Sequence, residues 1–210
     1  AYDAAVLRQC SRGLNPTTYD RYPVDEEEKE ELHACAARGN VDRLKALVVE
    51  GAASDEDAVP IDLRTPTAKL TPLMIAARRN QPAAVEELLH LDADPHAKST
   101  HDLTALSIAA ENGHTEIVNL LCQKLKAKGG AAALEDKGVT GKTALTCACE
   151  QGHAEAVRVL IRHGADPKSD SEKDGKSPLH YAAHLGHDEV IRLLLEQKAE
   201  VYVKTKDGTT

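Results

Sequence analysis

One short pattern recurs along most of this 210-residue chain and constrains its fold more than any other feature. Each copy has a Thr or Ser, a Leu two positions later, and two adjacent small residues that begin three positions after the Leu. A period of about 20–50 residues is typical of a solenoid, in which each unit buries its apolar face against the next. The chain is therefore predicted to fold as a stacked array. Spacings of 33, 39 and 34 residues separate the four hydroxyl residues, which are Thr71, Thr104, Thr143 and Ser177.

The residues around each copy predict two short helices. Thr71 and Ser177 have side-chain oxygens that can cap a helix, and the Pro after each suits the first helical position. A first helix of about two turns is predicted to end at Gly113, Gly152 or Gly186, because glycine adopts the left-handed conformation that ends a helix. A second helix follows, with aliphatic residues at helical spacing. Helices this short are marginal alone in water, so each pair must pack on the next.

Composition explains how closely the helices can pack. The chain has 32 Ala and five Tyr, and it has neither Phe nor Trp. Small side chains allow helix axes to approach within about 8–10 Å, the close end of helix packing. We expect the repeated alanine pairs to line these contacts.

These motifs resemble the ankyrin repeat family, whose signature is a Thr-Pro-Leu-His start, an Ala-Ala pair, a Gly-His turn, a Leu-Leu pair and a Gly-Ala-Asp ending. The match is closest from Gly175 to Val203. The resemblance implies an all-α fold, a solenoid of stacked helix-turn-helix units with short hairpin-like inter-repeat turns. The units it implies are 30–52, 70–98, 103–134 with an insertion, 142–170 and 176–204, with the start of another at 205–210, while residues 1–29 are an N-terminal extension or a degenerate half repeat with an acidic run.

Several places depart from the family pattern. Asp92 and Lys198 stand where the ending Gly is expected. Residues 53–69 are predicted to form an extended loop between the first two units. An insertion at residues 124–134, with two adjacent glycines, is predicted to form a flexible protrusion.

Composition and charge exclude several classes of protein. No stretch approaches the roughly 18 apolar residues of a membrane span, and no signal peptide is recognised near residue 1. Five unevenly spaced cysteines indicate reduced thiols rather than a disulfide framework. The net charge of -8 disfavours contact with nucleic-acid phosphates. We expect an intracellular protein of the cytoplasm or nucleus that forms a monomeric array, binds another protein, and binds neither nucleic acid nor a membrane.

Candidate chemical motifs are better explained by the repeat. Residues 138–143 resemble the end of a phosphate-binding loop, but they lack its first glycine and coincide with an inter-repeat turn. Cys147 and Cys149 lie two residues apart on a helix, so they point about 200° apart and cannot share a metal. We predict no catalytic residue, no cofactor and no metal.

The histidines give one pair that is left open as a hypothesis. His180 and His184 are spaced to share one helix face, and small-molecule or metal binding is kept for this pair alone. The alternative is that His180 braces the helix start while His184 faces solvent. Histidines in successive turns would lie about 8–10 Å apart, too far to share a metal.

The resemblance implies a protein-protein interaction module, an adaptor or scaffold that binds its partner on the concave side of the array. The alternative is the substrate-targeting or regulatory region of a larger enzyme whose catalytic part lies outside this chain. By resemblance, the contact residues lie at the inter-repeat turns and on the solvent side of the first helices. They are Arg78, Arg79, Thr100, His101, Glu111, Asn112, Lys142, Glu150, Gln151, Lys173, Asp174, Lys176, His184, Leu185 and Lys206.

Overall fold

The fold is known from a computed structural model that describes residues 31–50, 60–129, 134–169, 171, 175–201, 203–206 and 208. The acidic run before Glu31, the proposed half repeat, and the first part of the predicted 53–69 loop lie outside these residues. The regular elements of the described ranges are helical, and ten α-helices form five pairs, which we call repeats 1 to 5, while a π-helical segment, Ala46–Glu50, continues from residue 45. The pairs are α1 (Glu31–Arg38) with α2 (Val41–Lys45), α3 (Pro72–Arg78) with α4 (Pro82–His90), α5 (Ala105–Glu111) with α6 (Thr115–Gly129), α7 (Ala144–Gln151) with α8 (Ala154–His163), and α9 (Pro178–Leu185) with α10 (Asp188–Glu196).

The predicted capping residues begin the first helices. The Thr71 side chain accepts a hydrogen bond from the Met74 amide at 3.3 Å, which satisfies one of the unpaired donors at the start of α3. Thr104 and Thr143 make the same bond at the starts of α5 and α7. The caps at α5 and α7 therefore form although Ala replaces Pro after the Thr.

The ten helices lie in two layers. Helices α1, α3, α5, α7 and α9 stack on one another as the first layer, and their partners stack as the second. The first-layer helices stack closely along the array. Their side is the one that the family resemblance implies to be concave, and we call it the concave side. The alanine pairs lie at the close contacts, as predicted, with Ala76, Ala77, Ala109 and Ala110 all 0% exposed.

A hydrogen bond joins each of repeats 3 to 5 to the repeat before it. The ring of His114 donates from Nε2 to the carbonyl oxygen of Arg78 at 3.2 Å. His153 donates in the same way to Glu111, and His187 to Glu150. Each ring therefore connects the beginning of a second-layer helix to the end of the preceding first-layer helix.

Burial keeps two of these rings neutral. It lowers the pKa of His114 and of His153, because a charged imidazolium would lose its hydration there. The next histidine in the row lowers each pKa further, and the bond to the carbonyl opposes this effect.

We expect the free energy of unfolding to decrease when the pH is lowered from 7.5 to 5.5. The unfolded chain binds protons at its histidines near pH 6.5, whereas folded His114 and His153 bind them only at lower pH. Protons therefore favour the unfolded state, and stability is lost as the pH falls through about 6.5. Urea denaturation at the two pH values measures the change.

Repeat 2 supplies a matched control for this pH effect. Gln81 occupies the position of these histidines and lies against Gly39, as His153 lies against Gly113. The double variant His114→Gln, His153→Gln should lose less stability than the parent over the same pH interval. An equal loss would assign the pH dependence to other groups.

The structure also settles two departures from the family pattern. Asp92 and Lys198 adopt left-handed φ angles of 63° and 58°, so the turns form there without glycine. Within the insertion, residues 124–129 continue helix α6 and do not form part of a protrusion, whereas residues 130–133 lie outside the described residues. Leu125 is 2% exposed, and the Lys124 ammonium donates to the Leu89 carbonyl at 2.7 Å, so packing against repeat 2 favours the longer helix.

Candidate interaction surface

The predicted contact residues fall into two rows along the concave side. The first row is the end of each first-layer helix, where pairs of adjacent residues occupy equivalent positions in repeats 2 to 5. The second row is the series of inter-repeat turns. Lys173 and Asp174 lie outside the described residues. The first row comprises Arg78 and Arg79, Glu111 and Asn112, Glu150 and Gln151, and His184 and Leu185, and the second comprises Thr100, His101, Lys142, Lys176 and Lys206.

Hydrogen bonds connect successive turns into a continuous ridge. The Thr100 amide donates to the Ala68 carbonyl at 3.0 Å, and the Val139 amide donates to the His101 carbonyl at 3.1 Å. Glycine at 141 and 175 adopts left-handed φ angles of 76° and 68° within these turns. Residues 138–143, which resemble part of a phosphate-binding loop, form one such turn. The side chain of Val139 is 46% exposed, so the ridge presents one apolar side chain to solvent at this turn.

The structure brings Lys142 and Glu150 together with a residue that the sequence analysis did not select. The Lys142 ammonium contacts both carboxylate oxygens of Glu150, at 2.8 and 2.7 Å. It also lies 4.6 Å from the ring centre of Tyr181, and the Lys176 ammonium lies 5.7 Å from the same ring. Both distances suit cation–π attraction. We call Lys142, Glu150, Lys176 and Tyr181 the lysine–tyrosine cluster.

Comparison of equivalent positions in the repeats could have singled out Tyr181 from the sequence. The equivalent residues of repeats 2 to 4 are Ile75, Ile108 and Cys147, so an aromatic side chain occurs once in an otherwise aliphatic or thiol position. Its ring is 8% exposed, because it is covered by the lysine side chains of two adjacent turns. The cluster therefore joins the turns of repeats 4 and 5 to helix α9.

Charge changes sign along the two rows. Repeat 2 presents the half-buried Arg78 and Arg79, and repeat 3 presents the exposed Glu111. The ion pair between Lys142 and Glu150 balances charge in repeat 4. Lysines at 176 and 206 make the far end of the turn ridge basic. Such alternation favours specificity for a protein surface over binding to a uniform line of phosphates.

The buried thiols of three cysteines are protonated, although Cys147 lies close enough to Glu111, Lys142 and Glu150 to feel their charges. Burial raises the pKa of Cys122 to about 12 and that of Cys147 to about 12, and it also raises the pKa of Cys149. These groups are therefore protonated at neutral pH, and a thiol is a poor nucleophile and metal ligand. In the part of the chain that the structure describes, no three His, Cys, Asp or Glu side chains are grouped to hold a metal ion.

The two histidines at positions 180 and 184 have different surroundings, because His180 is bonded to Ser177 and His184 faces solvent. The amide of Ser177 donates to Nδ1 of His180 at 3.1 Å, and the Ser177 hydroxyl lies 2.7 Å from the same nitrogen. His184 is exposed. His180 therefore stabilises the first turn of α9, and its Nδ1 is not available to a metal shared with His184.

Comparison with known proteins gives the family. A family model described as ankyrin repeats in three copies matches residues 14–99, 32–131 and 122–205. The chain belongs to the ankyrin repeat family. The two helical layers, the turn ridge and the histidine bonds are thus the framework of an ankyrin array.

One curated relative of this ankyrin chain is the mouse protein NF-kappa-B inhibitor delta. The two are 38% identical over 89 residues, which is 42% of this chain and 26% of the relative. This chain therefore spans about a quarter of the length of the relative. Family membership and this similarity support a role as a protein-interaction module. Among the described residues, none of the helices has the length and apolar character needed to cross a membrane.

Proposed function

We propose that this ankyrin array is an adaptor that binds a partner protein along its concave side. The contacts are made by the first row, at the ends of the first-layer helices, and by the second row, which is the ridge of inter-repeat turns. The observation that carries the proposal is a difference between buried and surface positions within the one chain. Equivalent buried positions keep small residues, such as Ala76, Ala109 and Ala182, all 0% exposed. The equivalent pairs of helix-end residues differ in every repeat, and they are Arg78 and Arg79, Glu111 and Asn112, Glu150 and Gln151, and His184 and Leu185.

That difference has a physical reason. Stacking requires the same small side chain at every close helix contact, and it leaves the solvent positions unconstrained. Varied side chains on a repeated framework suit recognition of one particular surface. The partner that fits this row is a protein with acidic groups opposite Arg78 and Arg79, a basic group opposite Glu111, and acidic groups opposite the lysines at the far end of the ridge.

The lysine–tyrosine cluster supports a preformed contact region. The pairing of Lys142 with Glu150, and the contacts of both lysines with Tyr181, hold long side chains in place before a partner arrives. Ordering such a side chain on binding costs roughly 0.5–1.5 kcal/mol, so prior ordering improves affinity. The name of the relative describes an inhibitor of NF-kappa-B, and inhibition of one protein by another accords with function through binding.

Charge reversal on one side of the array tests the proposal. The variant Arg78→Glu, Arg79→Glu, Lys176→Glu changes three basic residues of the concave side. The control Arg162→Glu, Arg192→Glu, Lys126→Glu makes the same charge change at exposed residues of the second-layer helices. Partners are captured from cells by crosslinking and identified by mass spectrometry, and circular dichroism confirms that both variants are folded.

We expect proteins captured by the parent to be lost from the concave-side variant and kept by the control. Loss of a full electrostatic contact region should weaken binding by at least tenfold, which is about 1.4 kcal/mol. The opposite pattern, with capture lost only in the control, would place the interface on the second-layer helices and overturn the proposal.

A further inference from the structure

The residue before each helix cap changes along the turn ridge from leucine to lysine. Leu70 and Leu103 precede the caps of repeats 2 and 3, whereas Lys142 and Lys176 precede the caps of repeats 4 and 5. All four residues are half-buried. Repeats 2 and 3 show that stacking does not require a cation at this position. A role other than stacking is therefore open to the two lysines.

The two lysines place their charges at one aromatic ring. The Lys142 ammonium lies 4.6 Å from the ring centre of Tyr181, and the Lys176 ammonium lies 5.7 Å from it. The cluster contains one carboxylate, that of Glu150. Its four side chains together therefore keep an excess of positive charge, which attracts a further anionic group.

Glu150 shows which anion suits the cluster. Both of its carboxylate oxygens contact the Lys142 ammonium, at 2.8 and 2.7 Å, so a carboxylate binds here at hydrogen-bond distance. The side chains of Lys142 and Glu150 are 20% and 29% exposed, so the pair stays accessible from solvent. An ammonium group has three donors, so a lysine that already contacts one group can also bind a second carboxylate.

The surroundings of the cluster favour a protein ligand over a nucleic acid. The Tyr181 ring is 8% exposed, because the lysines cover it, so it offers little surface on which a base could stack. The carboxylates of Glu111 and Glu150 both act on the pKa of Cys147, as the Lys142 ammonium does, so all three groups lie close together. A line of phosphates would be repelled by the two carboxylates, whereas a protein segment can present a single acidic side chain.

An exposed aliphatic side chain lies beside the cluster. The Gly138 amide donates to the Lys142 carbonyl at 3.1 Å and closes the turn in which Val139 is 46% exposed. Val139 and Lys142 are three residues apart in the sequence, so their backbones are separated by about 10 Å at most. An extended segment covers that distance in about three residues.

We infer that the lysine–tyrosine cluster binds an extended segment of the partner protein that has an aspartate or glutamate within about three residues of an aliphatic side chain. The carboxylate contacts the ammonium groups of Lys142 and Lys176, and the aliphatic side chain packs on Val139. This inference rests on the adaptor function proposed above, and it specifies the partner chemistry that one part of the concave side recognises.

Selection from a peptide library tests the inference on the 210-residue chain. The library displays random peptides of about 12 residues, which are long enough to cross several repeats. We expect the enriched peptides to have Asp or Glu within three positions of Leu, Ile or Val more often than the unselected library. The most enriched peptide is then synthesised with a fluorescent label, and its Kd is measured by fluorescence anisotropy at several NaCl concentrations.

Paired variants make the test specific. Lys142→Leu, Lys176→Leu introduces the residue that repeats 2 and 3 have at this position, and it should weaken peptide binding at least tenfold and reduce its salt dependence. Lys142→Gln, Lys176→Gln removes the same charges with a polar side chain and should weaken binding to the same extent. Lys142→Arg, Lys176→Arg keeps the charge and the contact with the ring, so its Kd should stay within about threefold of the parent value. The control Lys126→Leu, Arg192→Leu removes two exposed charges from the second-layer helices and should leave the Kd unchanged.

Three results would overturn the inference. The first is a selection that enriches no peptides or enriches peptides without acidic residues. The second is peptide binding that the leucine and glutamine variants leave unchanged. The third is binding of an oligo-dT of about 20 nucleotides that is tighter than peptide binding and is lost in the leucine variant, which would assign the cluster to nucleic acid. If cellular partners were still captured through the concave side after the first or second result, the adaptor proposal would stand and this inference alone would fail.

Discussion

Replacement of Ala110 by Phe is expected to destabilise the array by about 3 kcal/mol, because overpacking a close contact costs 1–3 kcal/mol or more. Ala110 is 0% exposed in α5, which packs between α3 and α7. The ring would push the first-layer helices apart and would also disturb the second layer. Thermal unfolding should show a midpoint lower by about 6–12 °C.

Ala183→Phe is the matched control. It makes the same change at the equivalent position of repeat 5, where the side chain is exposed. We expect its midpoint to differ little from that of the parent, since substitutions at such surface positions usually change stability by about 0.5 kcal/mol or less. Similar losses in the two variants would show that helix propensity or solubility causes the effect. That result would contradict the close-packed interpretation of the alanine pairs.

Gly152→Ala should cause the second large loss of stability, about 2–3 kcal/mol. The residue has a φ of 75°, which is unfavourable for Ala. In addition, the new Cβ would lie 2.6 Å from Nδ1 of His187. The ring must move, and its bond to the Glu150 carbonyl, 3.0 Å long, is then broken.

Gly186→Ala separates these two causes. Its φ of 72° gives nearly the same backbone strain, but its Cβ would contact no described atom within 4 Å. We expect a loss of about 1 kcal/mol, the cost of the left-handed conformation alone. Urea denaturation of both variants gives the comparison. Equal losses would mean that the contact between ring and glycine contributes nothing measurable to the stacking of repeats.

Much of this fold could be predicted because its signals are local. Thr71 caps its helix as the sequence indicates, and Gly152 ends its helix in the predicted left-handed conformation. The structure of the insertion at residues 124–134 was harder to predict, because its two adjacent glycines favour a loop while Leu125 favours helix. Burial of Leu125 and the bond from Lys124 to the Leu89 carbonyl favour helix as far as residue 129, and that bond joins residues 35 positions apart.

The candidate surface shows the same limit. Its helix-end positions follow from the repeat alone, because each is a fixed number of residues after a cap. The lysine–tyrosine cluster could not be derived in this way, since Lys142 and Tyr181 belong to different repeats. Their contact requires the relative placement of two units, and the sequence of one unit does not contain this information. Whether these residues bind a partner stays a prediction.

The histidine bonds between repeats bear on how such a chain can change its length. His153 contacts Gly113 and His187 contacts Gly152, so the boundary between repeats 3 and 4 and the boundary between repeats 4 and 5 have the same histidine–glycine contact, which acts as a joint. Deletion of the segment between Gly113 and Gly152 would bring His187 against Gly113 and restore that joint. Gain or loss of whole units by duplication or deletion therefore preserves the contacts at each boundary, whereas loss of a partial unit breaks them. Evolution can lengthen or shorten this molecule in whole repeats and alter its surface residues separately.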